Sequence, residues 1–287
     1  MRGILLAGGT GSRLWPNTKA ISKQLLPVYD KPLIYYSLST LLLAGIRDIL
    51  VITTERDQPL FMSLLGDGHN IGINLSYAVQ QVPDGIASAL LLGEEFIGTE
   101  AVCLALGDNI FYGVGLGLSL SECTSPSGAI AFGFAVRDPN RYGIVELDKF
   151  GKPISIEEKP KEPRSNLAIP GLYFFDNSAI ERVKKIQKSP RGEYEITSLL
   201  ESYLKDGRLE VKIFGRGTAW LDCGTTESMH DAATYIRVIE ERQGLKVGCI
   251  EEIGWRQNWI TDGELVKLSS LYENSDYGRY LMNLRRE

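Results

Sequence analysis

The sequence predicts an α/β protein with a mixed, mainly parallel sheet flanked by helices on both faces. Two observations carry that expectation. Up to residue 106, short apolar runs alternate with helix-length segments in β-α-β-α order, the pattern of parallel strands joined by crossover helices. The first run, residues 2–7, empties directly into Gly8, Gly9 and Gly11, and sheets of this kind take ligands at the carboxyl ends of their strands.

Residues 2–7 (Arg-Gly-Ile-Leu-Leu-Ala) make a short buried strand. Residues 8–31 make a loop holding Pro16 and Pro27, and a loop of that length in a compact domain is usually functional. Pro32 sits where a helix starts, so residues 33–43 form a mostly buried helix closed by Gly45. A strand over 46–53, a helix over 57–65 ending at Gly66, and a strand over 74–79 follow. Residues 80–85 form a turn, 86–96 a helix, and 101–106 a fourth strand ending in Gly107-Asp108-Asn109.

From residue 128 the pattern changes. Strands at 129–136, 143–148, 153–157 and 168–175 lie close together, which predicts antiparallel or mixed pairing, with Phe150-Gly151-Lys152 as a hairpin turn. Helices at 177–185 and 194–205, short strands at 210–214 and 218–221, and a long helix over 225–243 come next; Thr225 or Thr226 can cap the last. Residues 251–287 read as two or three short helices. No repeat or linker interrupts the chain. The expectation is one Rossmann-like domain, residues 1–240, with a helical tail over 241–287 packed on it.

Bulk properties narrow the function. The formal charge of −5 and a pI near 5.3 argue against a nucleic-acid partner. No segment reaches 18 apolar residues, so neither a membrane span nor a membrane partner is expected, and no signal peptide is expected before the first strand. Cys103, Cys123, Cys223 and Cys249 are far apart and read as reduced thiols of a cytoplasmic protein. His69 and His230 are the only histidines, so a histidine-rich metal site or a Ser-His-Asp triad is hard to build. A metal, if used, is expected to be hard and oxygen-ligated, namely Mg²⁺.

The glycine loop is the strongest local signal. Residues 1–31 hold five cations (Arg2, Arg13, Lys19, Lys23, Lys31) and one anion (Asp30), a net +4 within a chain of −5. Glycine backbone N–H groups with nearby Arg and Lys are a device for binding phosphate. A Walker A loop needs Gly-Lys-Ser/Thr, which residues 8–14 lack. A dinucleotide Gly-x-Gly-x-x-Gly starting at Gly9 would need glycine where Leu14 stands. Asp108 and Asp222 each end an expected strand beside glycine; either alone reads equally as a turn former. Glu158-Lys159-Pro160 is by itself a common surface tripeptide, and Gln80 with Pro83 and Gly85 reads equally as a plain turn.

The ordered motifs resemble the sugar-phosphate nucleotidylyltransferases, most closely the branch acting on dTTP and glucose 1-phosphate. They are Gly8-Gly-Thr-Gly-Ser-Arg-Leu-Trp-Pro16, Ser22-Lys-Gln24, Leu64-Leu-Gly-Asp-Gly68, Gly107-Asp-Asn109, Arg141-Tyr-Gly143, Glu157-Glu-Lys-Pro160, Gly171-Leu-Tyr-Phe174, Arg191-Gly192 and Ala219-Trp-Leu-Asp222. The resemblance implies attack of a sugar-1-phosphate oxygen on the α-phosphorus of dTTP, with diphosphate leaving and no enzyme nucleophile. It implies a nucleotide-binding part over about 1–127 and an antiparallel sugar-phosphate-binding part over about 128–224.

Carried over residue by residue, the resemblance gives Arg13, Lys23 and Lys159 the catalytic roles. Gly8, Gly9, Thr10, Gly11, Ser12, Arg13, Lys23, Gln24, Gln80, Pro83, Gly85 and Asp108 would hold the nucleotide. Asn109, Gly143, Glu158, Lys159, Tyr173 and Arg191 would hold the sugar phosphate, and Asp108 with Asp222 would hold Mg²⁺. Tyr142 and Trp220 read as packing residues. Ser88 stands where the family pattern has Gln, Ile169-Pro170 where it has Val-Thr or similar, and Ser12 where Thr is more usual. Residues 244–260 resemble the family's C-terminal segment, which implies a homotetramer and a second site for feedback binding of dTDP-rhamnose. A non-catalytic relative would have lost Arg13, Lys23 or one of the two Asp; all are present. UTP or another sugar 1-phosphate remains an alternative substrate.

Overall fold

The computed structural model describes residues 1–284, so the expectation for 285–287 lies outside the described residues. Strand β1 (Arg2–Ala7) is buried on both faces: Ile4 enters one core, Leu5 and Ala7 the other. In the loop after it, β2 (Pro27–Val28) and β3 (Lys31–Pro32) pair as a small antiparallel ribbon. Helix α1 (Leu33–Leu43) starts directly after Pro32 and carries no charge, which suits its burial between layers. Then come β4 (Asp48–Thr53), α2 (Gln58–Leu65) and β5 (Asn74–Val79).

The single helix expected over 86–96 is two short ones, α3 (Ser88–Leu92) and α4 (Glu94–Ile97). They divide at Gly93, where a Cβ would lie 2.8 Å from Cδ1 of Ile4 on the central strand. After β6 (Val102–Leu106) stand two elements that the sequence reading left out, β7 (Ile110–Tyr112) and α5 (Leu116–Ser121). Strands β8 (Ala129–Ala135), β9 (Gly143–Leu147) and β10 (Pro153–Glu158) follow, the last two forming the expected hairpin.

The strand expected over 168–175 is also split, into β11 (Leu167–Ala168) and β12 (Leu172–Phe175). Pro170 has no N–H for a ladder, and a Cβ on Gly171 would lie 2.6 Å from Leu106 Cδ1. The rest is α6 (Ala179–Val183), α7 (Ile196–Lys205), β13 (Leu209–Ile213), β14 (Ala219–Leu221) and α8 (Thr226–Gln243). Thr225 caps α8 through a reciprocal pair of bonds with Ser228. The tail is α9 (Ile250–Arg256), α10 (Asp262–Leu271) and α11 (Asp276–Asn283).

The large sheet runs β10-β9-β11-β8-β12-β6-β1-β4-β5, with β13 beside β8. From β6 through β1 and β4 to β5 all pairs are parallel; β12 then enters antiparallel between β6 and β8. The carboxyl ends of β1 and β6 therefore share one edge, and the β8–β11 region borders it. One core lies between the sheet, α1 and the tail, where Ile250, Ile260, Leu265 and Leu281 join it. The other lies under α3, α6 and α7. All four cysteines are buried free thiols, and among the described residues no helix is long and apolar enough to cross a membrane.

Candidate active site

A cleft of about 390 Å³ opens at the carboxyl ends of β1 and β6. Of the sequence-predicted residues, Thr10, Gly11, Ser12, Arg13, Lys23, Asp108, Asn109, Gly143, Glu158, Lys159, Tyr173 and Asp222 line it. A neighbouring cavity of about 600 Å³ shares Thr10 and is lined by Gly9, Gln80 and Pro83. Gly8, Gln24, Gly85 and Arg191 line neither.

The glycine loop is braced from within. Gly11 has φ of 59°, and the Thr18 hydroxyl donates to its carbonyl at 2.6 Å. Buried Leu14 anchors the turn and leaves Arg13 exposed on the cleft wall. Gln24 is buried; Ser22 Oγ donates to its Oε1 at 2.5 Å, so it props the loop from behind.

The charge excess of residues 1–31 is not gathered at this loop, which corrects the reading of it as one phosphate-directed patch. Arg2 is at the opposite end of β1, paired with Asp48 at 3.0 Å. Lys31 is buried against Asp30 and Glu240 of α8. Arg13 and Lys23 are the members of that set that line the cleft.

The β7–β14 ribbon brings the two aspartates together. Ile110 pairs with Leu221, so the residues just outside the pair, Asn109 and Asp222, are neighbours, and Asp108 is one further. Burial first, then the charges of the nearby Asp108 and Asp222, push the Cys223 thiol far above its ordinary range. Asp108 is ion-paired with Lys23 and accepts from Asn109 Nδ2 at 2.8 Å. Asp222 Oδ2 accepts from Arg141 at 3.1 Å and from Tyr142 at 3.0 Å. Asn109 is locked in turn: its Oδ1 accepts from Trp220 Nε1 at 2.6 Å and from the Gly171 N–H at 3.1 Å.

Register also builds the other wall. Glu158 at the end of β10 pairs with Gly143 at the start of β9. Glu158 accepts from Thr197 Oγ1 at 3.2 Å and from Arg191 at 3.1 Å, and Lys159 Nζ lies 3.3 Å from it. Lys159 adopts φ of 45°, a left-handed conformation uncommon for a side chain of its size. A Cβ on Gly143 would lie 2.8 Å from Thr197 Cγ2 and 3.3 Å from Glu158 Oε2, so glycine keeps this corner open. Burial and the charges of Glu158 and Asp108 hold the Tyr173 phenol protonated.

Sequence reasoning missed Arg141, Thr197 and the polar work of Tyr142 and Trp220. Those two do pack, with ring centroids 5.1 Å apart, and each also donates a bond to a cleft residue. A signal existed for part of this: Ile110-Phe-Tyr112 is a β-prone run between Asn109 and Gly113.

Comparisons with known proteins bear on the family and the fold. The family model for nucleotidyl transferases matches residues 2–238. The chain is 56% identical over 284 residues to the glucose-1-phosphate thymidylyltransferase of Mycolicibacterium smegmatis, covering 99% of each. It is 52% identical over 288 residues to that of Neisseria meningitidis serogroup A, covering 100% of each. A Bacillus anthracis crystal structure carrying the same enzyme name, with a bound sucrose, superposes with a TM-score of 0.76 at 40% identity, over 83% of this chain and 95% of that one. A UDP-glucose pyrophosphorylase with UDP-glucose superposes at 0.73 and 26% identity, over 83% and 98%.

Proposed function

We propose, for a chain that belongs to the nucleotidyl transferase family and within it to the glucose-1-phosphate thymidylyltransferases, that it transfers the thymidylyl group of dTTP to α-D-glucose 1-phosphate. The products would be dTDP-glucose, a starting point for dTDP-deoxysugars, and diphosphate. One observation carries the reading: Asp108 and Asp222 stand together in a cleft with Arg13, Lys23 and Lys159, and among the described residues no histidine or cysteine lines it. That inventory suits a reaction whose nucleophile arrives with the substrate. An oxygen of the sugar phosphate attacks the α-phosphorus. A new O–P bond forms while the bond to the bridging oxygen breaks, and diphosphate leaves with the electron pair.

Arg13 and Lys23, with the N–H groups of residues 8–12, would hold the triphosphate and take up charge as diphosphate departs. Lys159 and Arg191 would hold the acceptor phosphate, Arg191 from its place beside Glu158. Asn109, Gly143, Glu158 and Tyr173 would border the sugar, and Gln80, Pro83 and Gly85 the base. The nucleotide half would be about residues 1–127 and the sugar-phosphate half about 128–224.

Asp108 and Asp222 fit a Mg²⁺ site. Both are hard oxygen donors, and among the described residues no third acidic, histidine or cysteine group completes a cluster, which suits an ion that takes its other ligands from water and phosphate. When bound, Mg²⁺ would neutralise charge on the phosphates.

A uridine reading has one observation in its favour, the structural likeness to the UDP-glucose pyrophosphorylase. Steady-state diphosphate release across dTTP, UTP and several hexose 1-phosphates separates the two. The highest kcat/KM is expected for dTTP with glucose 1-phosphate. A higher value for UTP favours the alternative, and no release from any pair overturns both. A cytoplasmic homotetramer with feedback binding of dTDP-rhamnose completes the proposal. Light scattering that shows a monomer removes the first, and activity indifferent to dTDP-rhamnose removes the second.

A further inference from the structure

We infer that Ser88 is a positioning residue for base choice: its hydroxyl holds the Gln80 amide in the one orientation that accepts a pyrimidine with a proton on N3. The inference rests on the proposal that Gln80 reads the base. It adds the residue that decides which face of the amide is offered.

Gln80 Nε2 donates to Ser88 Oγ at 2.9 Å, and Ser88 Oγ donates to the Gly85 carbonyl at 2.7 Å. The other polar group at this hydroxyl is the Asp84 carboxylate. Burial opposes its ionisation, yet the nearby Ser88 hydroxyl and the Lys188 ammonium hold it below the usual carboxylate range. The single Ser88 proton thus faces acceptors on the turn, and only oxygen lone pairs are left for Gln80. An amide turned end for end would set Oε1 against those lone pairs.

The turn that directs the Ser88 proton is itself fixed. The Tyr194 N–H donates to the Asp84 carbonyl at 2.7 Å, and the Ala87 N–H donates to the Tyr194 carbonyl at 3.1 Å. Gly85 has φ of 112°, and a Cβ there would lie 2.4 Å from the Tyr194 carbonyl oxygen, so the backbone sits flush against its support. Lys188 pairs with Asp84 at 3.2 Å. With Nε2 committed to Ser88, Gln80 Oε1 lies 2.9 Å from where a Cβ on Gly8 would be, a seat that glycine leaves open. Gly9, Thr10 and Gln80 line the same cavity, and Oε1 is the end of the amide beside the glycine loop.

Thymine and uracil carry N3–H, a donor that Oε1 accepts. Cytosine carries a bare N3, and Oε1 against it sets two acceptors face to face. A polar mismatch of that kind discriminates far better than a missing methyl group does. Without a hydroxyl at position 88 the amide is free to turn and serve either base.

The test is steady-state turnover of dTTP and of dCTP with glucose 1-phosphate, for wild type, S88A and the isosteric pair S88T and S88V. S88A and S88V are expected to lower the dTTP-to-dCTP ratio of kcat/KM by about tenfold, the worth of one hydrogen bond. The loss is expected in KM for dTTP rather than in kcat, and S88T is expected to keep the wild-type ratio. Should S88A fail to fold, the Thr and Val pair carries the comparison. A ratio that survives in S88V, or an equal loss with both nucleotides, overturns the inference while the proposed function stands. A wild type inactive on dTTP overturns both.

Discussion

Replacing Asp108 by Asn lowers turnover of dTTP with glucose 1-phosphate by about a thousandfold, mostly in kcat. The substitution keeps volume and the acceptor for Asn109 Nδ2 but removes the charge. Lys23 then loses its ion-pair partner, and the proposed metal site loses one of its two carboxylates. The positions where charge builds up on the leaving diphosphate depend on both. D222N is expected to behave alike, since it leaves Arg141 and Tyr142 without their shared carboxylate oxygen. Diphosphate release at rising Mg²⁺ is the measurement: wild type saturates at lower Mg²⁺ than either variant. A D108N enzyme within about tenfold of wild type at every Mg²⁺ level contradicts the role given to Asp108.

Replacing Lys31 by Met lowers folding stability by about 3 kcal/mol or more, the scale seen when one partner leaves a buried ion pair. The Lys31 side chain is 2% exposed, and its ammonium donates to Glu240 at 3.1 Å and to the Val247 carbonyl at 3.0 Å, beside Asp30. Glu240 also accepts from Lys246 at 3.1 Å and from the Val247 N–H at 2.9 Å. Lys246 keeps part of the charge balanced, which places the loss toward the lower end. The network ties the end of the phosphate loop to α8 and to the segment that leads into the tail.

Its pH dependence follows from Asp30. Burial opposes ionisation there, but the Lys31 charge and hydrogen bonds from Lys246 and Lys31 hold the carboxyl below its usual range. A depressed acid contributes stability above its unfolded pKa, near 4, and that contribution is lost as pH falls through the folded value. The gap between wild type and K31M is therefore expected to narrow in acid. Urea unfolding at neutral pH and below pH 4 reads this out, and equal midpoints at neutral pH contradict it.

Much of the sheet was legible because its strands are continuous apolar runs and its helices end at glycines such as Gly66. Local pattern failed where a distant neighbour decided. Nothing near Gly93 shows that Ile4 passes beneath it, and nothing near Gly171 shows Leu106. The site divides the same way. The resemblance singled out the glycine loop, Asp108, Asp222 and Lys159, and the cleft holds those three side chains with Thr10, Gly11, Ser12 and Arg13 of the loop. Arg141 and Thr197 were missed because each acts on a residue far away in the chain, Asp222 and Glu158. Formal charge misled for a related reason: Lys31 is a cation by composition but is spent on Glu240, 209 residues away.

The central claim is direct transfer from one phosphate to another with no covalent enzyme intermediate. The most direct test is the stereochemical course at the α-phosphorus. dTTP carrying sulfur at one α-oxygen, as a single diastereomer, is turned over with glucose 1-phosphate, and the configuration of the thio-substituted dTDP-glucose is read by phosphorus NMR. A single in-line displacement predicts inversion. Retention would mean two displacements through a nucleotidylated side chain, and would contradict the account.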